Sequence, residues 1–208
     1  MSEALDYLMK ARGDAVGHYF KFLKEAGKHL DPKTRALISL ITKVDVQTET
    51  GFKQYLSRAM RDGCRPVEIL DALLMAFPTL GLAKIVWATD ILLEMNIPEF
   101  RPERLEAEPA WYGLIELEEI RDGQTRRIDC LGRGLFVHQV GGEYRVYDSR
   151  CPHQVTDIPH LALYDKVLTC PKHGWKFDLD SGDCIEKGHH PLRRFESKVK
   201  DGWLWVYC

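Results

Sequence analysis

Two short segments, each with one cysteine and one histidine, constrain the fold of this 208-residue chain more than any other feature. The first reads Cys151-Pro152-His153, and sixteen residues then separate His153 from Cys170, which precedes His173 in the second. Two thiolates and two imidazoles can close around zinc, or they can hold an iron–sulfur cluster. In Cys₂His₂ zinc sites one element carries both cysteines and the other both histidines. Here each segment carries one of each, so the spacing favours a two-iron cluster between two loops, with zinc as the competing interpretation.

The second segment, CPKHGWKFDLDSG, together with the first, resembles the ligand loops of the Rieske [2Fe–2S] family, in particular its ferredoxin and oxygenase members. The resemblance implies that Cys151 and Cys170 bind one iron through sulfur, and that His153 and His173 bind the other through nitrogen. It covers Trp111 to the C-terminus, about half of the chain. The implied fold of this half is all-β, with short antiparallel strands that frame the two loops.

The residues around the two segments carry the strand and turn signals that such a frame needs. Gly134–His138 and Tyr144–Tyr147, joined through Gly141-Gly142, predict a hairpin with a two-residue glycine loop. Near the end of the chain, Phe195–Lys200 and Trp203–Val206 are separated by an Asp-Gly turn and predict two more strands.

One position of the first loop departs from the pattern of the family. Many members have glycine two residues after the histidine, and this chain has Val155 there. Glycine permits backbone conformations that a β-branched residue avoids. We therefore expect the first loop to differ in shape from the common form and to screen His153 differently.

The resemblance also bears on the reduction potential. Respiratory Rieske proteins carry an extra cysteine in each loop, together with Ser and Tyr hydroxyls that donate hydrogen bonds to the cluster and its ligands. In this chain Thr156 and Lys172 stand at the cysteine positions, and Trp175 and Phe177 stand at the hydroxyl positions. Hydrogen bonds to sulfur stabilise the more negative, reduced cluster, so their loss predicts a potential near the low end of the roughly −150 to +300 mV Rieske range.

The N-terminal half has a helical pattern from residue 4 to about residue 96. Asp31 followed by proline predicts an N-cap and a first helical residue, and Pro66 opens a later helix in the same way. Pro78 and Gly81 predict a break in that later helix, before an apolar stretch that continues to Leu93.

The order of these helices, with LDPKTRALISL early and GCRPVEILDALLMA later, resembles the carboxymuconolactone decarboxylase/AhpD-like family over about residues 15–95. Redox-active members carry a C-x-x-C-x-x-x-H motif and an upstream glutamate. Here Thr48, Gly51 and Tyr55 occupy the motif positions, and Ala36 occupies the glutamate position. None of these side chains can perform thiol chemistry. We therefore expect a helical scaffold that forms homo-oligomers, as trimers or hexamers, and no peroxidase or disulfide reductase activity.

The segment between the halves has the composition of a linker. Residues 96–109 contain three prolines and six charged side chains. The predicted organisation is therefore α+β in two domains: an all-α domain at residues 1–98, a linker at residues 99–110 and an all-β domain at residues 111–208.

Composition limits the classes of partner and compartment. The net charge of −2 provides no electrostatic basis for binding nucleic acid or an anionic membrane. The sequence shows neither an apolar run of bilayer length nor a signal-peptide core near its start, so we expect a cytoplasmic protein. Outside the two ligand segments, Cys64, Cys130, Cys184 and Cys208 show no paired framework, which agrees with a reducing compartment.

Three functions follow from these observations. The first is a one-electron carrier that exchanges electrons with a reductase and an acceptor protein. The second is an oxidoreductase whose helical domain binds a small-molecule substrate, with Glu49, Tyr55 or His18 as candidate pocket residues. The third is an interaction module whose fold is stabilised by a structural zinc ion, without a redox role.

Overall fold

The N-terminal half is helical, as the spacing of its apolar residues predicts. The structure, a computed structural model, describes residues 3–208, so residues 1 and 2 of the predicted helical domain and the side chains of Glu3 and Asp6 lie outside the description. Within the described residues there are five helices, and none is long and apolar enough to cross a membrane. Their bounds are α1 Glu3–Ala26, α2 Pro32–Asp45, α3 Glu49–Arg61, α4 Pro66–Leu80 and α5 Leu82–Glu94.

Two of these helices, α2 and α4, begin at the prolines that the sequence predicts, Pro32 and Pro66. The Asp31 carboxylate accepts a hydrogen bond from the backbone N–H of Thr34 at 3.0 Å, and α2 starts with the following proline. The prediction that Pro78 breaks α4 is wrong, because that helix continues through it and ends before Gly81. Pro78 lies in the last turn of α4, where the N–H that it lacks would have bonded the carbonyl of Leu74 on an exposed part of the helix.

The second half is built from short strands, and the predicted all-α and then all-β order is confirmed. Both predicted hairpins are present, the first with Gly141 and Gly142 at φ 58° and 81°, as a two-residue hairpin loop requires. The strands are β1 Trp111–Glu116, β2 Thr125–Cys130, β3 Arg133–Val140, β4 Glu143–Asp148, β5 Leu163–Tyr164, β6 Val167–Thr169, β7 Lys176–Asp178, β8 Cys184–Glu186, β9 Arg194–Lys200 and β10 Trp203–Tyr207.

The described strands form two antiparallel sheets. The larger has the order β1-β10-β9-β4-β3-β2, and the smaller has the order β5-β6-β7-β8. Strand β3 is buried on both faces: Leu135 and Val137 belong to one apolar core, and Phe136 belongs to a second. This second core also contains Cys151 and Cys170, so the ligand loops rest on packed apolar side chains.

Polar contacts join the helical half to the strands close to the first ligand loop. The guanidinium of Arg150 donates to the carbonyls of Met95 and Asn96 at 3.2 and 2.6 Å, just after α5. In a 3₁₀ turn at residues 98–100, Glu99 forms an ion pair with the buried Arg133 of β3. The region before the first cysteine is therefore fastened to the C-terminal end of the last helix.

Candidate iron–sulfur site

The first ligand loop follows β4 and closes through two backbone hydrogen bonds. The carbonyl of Cys151 accepts from the N–H of Val155 at 2.9 Å, and the N–H of Cys151 donates to the carbonyl of Thr156 at 2.9 Å. These bonds form a tight turn in which Val155 has a φ of 48°. His153 occupies the middle of the turn.

The second ligand loop, between β6 and β7, has the same pattern. The carbonyl of Cys170 accepts from the N–H of Gly174 at 2.9 Å, and the N–H of Cys170 donates to the carbonyl of Trp175 at 2.8 Å. Gly174 has a φ of 66°, so the residue four positions after the cysteine is left-handed in both loops. The two loops are therefore two copies of one turn.

The premise that a β-branched residue avoids the glycine conformation at this position is wrong for Val155. Val155 adopts the left-handed conformation that β-branched residues avoid, which costs about 1–3 kcal/mol. Contacts from outside the loop hold it there: its side chain packs against the helical core, and its carbonyl accepts from Arg150 Nη1 at 3.1 Å.

The two cysteine side chains meet beneath the loops. Cys151 and Cys170 are each 1% exposed, and their thiols hydrogen-bond to each other. This bond lowers the pKa of Cys170 to about 6 and raises the pKa of Cys151. The backbone N–H groups of Lys172 and His173 also donate to the sulfur of Cys170, and that of His153 donates to Cys151. Such donors stabilise a thiolate, the form in which cysteine binds iron.

The two histidine rings form a second pair. The ring centroids of His153 and His173 are 4.7 Å apart, and the ring of His153 stacks on Trp175 at 4.8 Å. Burial, with a contribution from His173, lowers the pKa of His153 to about 4, and burial also lowers the pKa of His173. Both imidazoles are therefore neutral at pH 7, as a metal ligand must be. The Nδ1 atom of His153 is buried without a hydrogen-bond partner, so it is available for a metal bond.

The four predicted ligands thus come together as one pair of thiols and one pair of imidazoles. Among the side chains that the structure describes, no three from His, Cys, Asp or Glu converge in the way that a single ion would require. Two separate pairs fit a two-iron group with sulfur ligands on one side and nitrogen ligands on the other.

Two aromatic side chains, Trp175 and Phe177, cover the site next to the histidines. Trp175 is 9% exposed and Phe177 is fully buried. A Cβ atom on Gly188 would lie 2.1 Å from the ring of Trp175, so only glycine lets the backbone approach the ring this closely. The positions of Trp175 and Phe177 therefore contribute apolar packing.

The four positions that stand in for the thiol motif of the helical family have structural roles. The Thr48 hydroxyl accepts from the N–H of Gly51 at 3.4 Å and caps α3, and a Cβ on Gly51 would lie 2.7 Å from the methyl of Thr48. Ala36 is buried in the helical core, and the amino group of Lys43 lies over the ring of Tyr55 at 4.8 Å.

The structure does not gather the predicted pocket residues. Glu49 bonds Lys53 at 2.6 Å, Tyr55 packs against the helical core, and His18 is exposed on α1. A cavity of about 680 Å³ lies instead between the two halves. Cys151 belongs to its lining, which also includes the C-terminal end of α3, the start of α4 and residues 97–99. Local sequence patterns carry no signal for this cavity, because its walls are far apart in the chain.

A β frame that holds two cysteine–histidine turns defines an iron–sulfur protein. The model of the Rieske [2Fe-2S] domain family matches residues 110–196. The chain belongs to this family through its C-terminal half, and its cofactor is a [2Fe–2S] cluster. This result replaces the zinc interpretation.

Ferredoxins and larger enzymes are among the relatives. The ferredoxin component of the alkene monooxygenase system of Xanthobacter autotrophicus is 30% identical over 95 residues, which cover 45% of this chain and 77% of that protein. Cholesterol 7-desaturase of Caenorhabditis elegans is 29% identical over 111 residues, which cover 47% of this chain and only 26% of the desaturase. The chain therefore spans about a quarter of the length of this desaturase. A solved complex of reduced oxygenase and oxidised ferredoxin in carbazole 1,9a-dioxygenase aligns with 27% identity and a TM-score of 0.39, over 47% of this chain and 92% of the matched chain.

Proposed function

We propose that this protein is a cytoplasmic one-electron carrier of the Rieske ferredoxin type, in which Cys151, His153, Cys170 and His173 bind the cluster. The main support is the shared turn of the two loops, which pairs the two thiols and the two imidazoles. A [2Fe–2S] cluster supplies one-electron redox chemistry. Ferredoxin components among the relatives support this role.

The side chains around the loops define how electrons would enter and leave. His173, Pro171 and Lys172 are exposed, whereas Cys151 and Cys170 are buried. A reductase or acceptor protein would therefore approach the histidine side of the site. Trp175 and Phe177 bring no hydroxyl to the sulfur atoms, so we propose a potential near the low end of the Rieske range.

Spectroscopy of protein purified without oxygen tests this proposal. We expect visible absorbance from iron–sulfur charge transfer, and after reduction with dithionite an EPR signal with the low average g value of mixed Cys/His ligation. Stoichiometric zinc without visible absorbance would contradict the proposal. A midpoint potential like that of quinol-oxidising Rieske proteins would contradict only its low-potential part.

We further propose that the helical half is an AhpD-like scaffold that assembles the protein into a trimer or hexamer. Exposed apolar side chains on α4 and α5 support this, because association would bury them. The largest are Leu74, Met75, Phe77, Leu82 and Leu93.

Light scattering on the full chain tests the scaffold. Met75 is 83% exposed, so Met75→Glu places a charge in the proposed interface and is expected to give smaller particles. The matched control Val199→Glu changes an exposed apolar residue of β9 and is expected to leave the assembly intact. A monomeric wild-type protein would contradict the scaffold.

A second candidate function is an oxidoreductase with a bound small molecule, because the interdomain cavity reaches Cys151 and Pro152 of the first ligand loop. Native mass spectrometry of the purified chain would detect a bound molecule. Ala107→Trp, at an exposed position of the lining, is expected to displace it, whereas Ala110→Trp, outside the lining, is not. An empty cavity in the wild-type protein would contradict this second candidate, and the electron carrier would then be the one proposed function.

A further inference from the structure

Two cysteines outside the cluster site lie against each other. The Sγ atoms of Cys130 and Cys208 are 3.8 Å apart, although 78 positions separate them in the sequence. The sequence carries no signal for this contact, because it joins residues far apart in the chain. Both are thiols in the structure.

The backbone holds the two thiols in this position. Cys130 ends β2, which is one edge of the six-stranded sheet. Cys208 directly follows β10, next to the opposite edge strand β1, and it exchanges hydrogen bonds with Ala110: its N–H donates at 3.1 Å and its carbonyl accepts at 3.0 Å. The contact between the two thiols therefore joins the edge strand β2 to the residue that pairs with the opposite edge of the sheet. A disulfide would need the sulfur atoms to approach from 3.8 Å to about 2.05 Å.

The two thiols differ in acidity. The hydrogen bond from Cys130, followed by the charges of Arg104, Arg133 and Arg193, lowers the pKa of Cys208 to about 7, although burial opposes this shift. The same hydrogen bond, together with burial, raises the pKa of Cys130. At neutral pH roughly half of Cys208 is therefore thiolate while Cys130 stays a thiol, which is the division between an attacking and a resolving cysteine.

A small molecule can reach the pair. Cys130 and Cys208 both line the interdomain cavity of about 680 Å³, and Arg104 and Arg193 line it beside them. Arg193 pairs with Glu99 at 3.7 Å, so Arg104 is the guanidinium group at this wall that would attract a reagent carrying carboxylates.

We propose that Cys130 and Cys208 form a redox-active dithiol that exchanges with small acidic peptide disulfides of the glutathione class. The Cys208 thiolate attacks one sulfur of the external disulfide, so a mixed disulfide forms and one peptide thiolate leaves. Cys130 then gives its proton to that thiolate and attacks the sulfur of Cys208, which releases the second peptide thiolate. Two cysteines are oxidised to one disulfide and one external disulfide is reduced to two thiols, so atoms, protons and electrons balance.

This inference goes beyond electron transfer by the cluster and does not rest on it. The new disulfide would tie the two ends of the sheet together beside the cavity that reaches Cys151. Because it would close a loop of 78 residues, it would restrict the unfolded chain and raise the melting temperature.

Mass spectrometry of the cluster-loaded full chain, incubated with oxidised glutathione, tests the proposal. We expect the wild-type protein to lose two hydrogen atoms, and peptide mapping to join Cys130 to Cys208. Cys130→Ala is expected to stop at a glutathione adduct on Cys208. The matched control Cys184→Ser changes another partly buried cysteine of the same half and should still form the disulfide.

Two further measurements separate the proposal from nonspecific oxidation. The rate of alkylation of Cys208 in the wild-type protein should be half-maximal near pH 7, and in Cys130→Ala it should shift to higher pH. Oxidation should raise the melting temperature of the wild-type protein and not that of Cys130→Ala. A pair that stays reduced in excess oxidised glutathione, or a stable adduct on wild-type Cys208, would overturn the proposal. Either result would leave the EPR test of the cluster unaffected.

Discussion

The two ligand loops adopt the same turn, but different parts of the molecule stabilise them. In the second loop the left-handed position is Gly174, which takes this conformation at no steric cost. In the first loop the same position is Val155, whose packing and hydrogen bonds come from the helical half and from Arg150. The second loop therefore has a residue suited to its left-handed position, whereas the first depends at that position on contacts with the helical half.

The substitutions with the largest expected effect remove the histidine that each loop is proposed to contribute to the cluster. His173→Ala removes one of the two proposed nitrogen ligands and should abolish the cluster, seen as loss of visible absorbance and of the EPR signal. His153→Ala should have the same effect, because the loops contribute equally. The control His160→Ala changes an exposed histidine in the 3₁₀ turn at residues 160–162 and should retain the cluster. A cluster that survives loss of either ligand histidine would show that the proposed ligand set is wrong.

A second substitution tests whether the first loop needs its hydrogen bonds to the helical half. Arg150→Met removes hydrogen bonds to the carbonyls of Met95, Asn96 and Val155, so we expect the free energy of unfolding to fall by about 2–4 kcal/mol. Urea denaturation measures this change, and chelation of iron should also become faster.

The control for this substitution is an arginine with a surface ion pair. Arg126 pairs with Glu119 at 3.0 Å and is 40% exposed, so Arg126→Met should cost about 1 kcal/mol or less. Equal losses in the two variants would show that the first loop does not need the interface.

A reciprocal pair of substitutions tests the left-handed position itself. Gly174→Val should lower the free energy of unfolding by about 2–3 kcal/mol, because the backbone strain has no compensating contact and the new Cβ would lie 2.9 Å from Lys187 Nζ. Val155→Gly should change it by about 1 kcal/mol or less, since relief of strain offsets the lost packing. Thermal and urea unfolding measure both, and equal effects would remove the difference between the loops.

The smallest effect concerns the potential. Phe177→Tyr introduces a hydroxyl into the core beneath the second loop, and we expect the midpoint potential to rise by roughly tens of mV if that hydroxyl donates to sulfur. Voltammetry measures the shift. The control Phe136→Tyr adds a hydroxyl elsewhere in the same buried core and should leave the potential nearly unchanged. Equal shifts would mean that general polarity, and not a bond to sulfur, sets the potential.

Much of the site could be predicted because its signals are local. The ligand spacing, the Gly141-Gly142 hairpin and the Asp31 cap each lie within a few residues, where backbone geometry and hydrogen bonding limit the choices. The effect of Pro78 could not be predicted from composition, because a proline in the last turn of α4 costs too little to end the helix.

Local sequence patterns were enough to predict the two-half organisation, the four residues proposed to bind the cluster and the strands around them. Three features became visible only in the folded chain: Val155 is left-handed, Arg150 fastens the first loop to the end of α5, and Cys130 lies against Cys208. These features depend on contacts between residues far apart in the chain. Such contacts form only when whole elements pack together, so no local pattern records them.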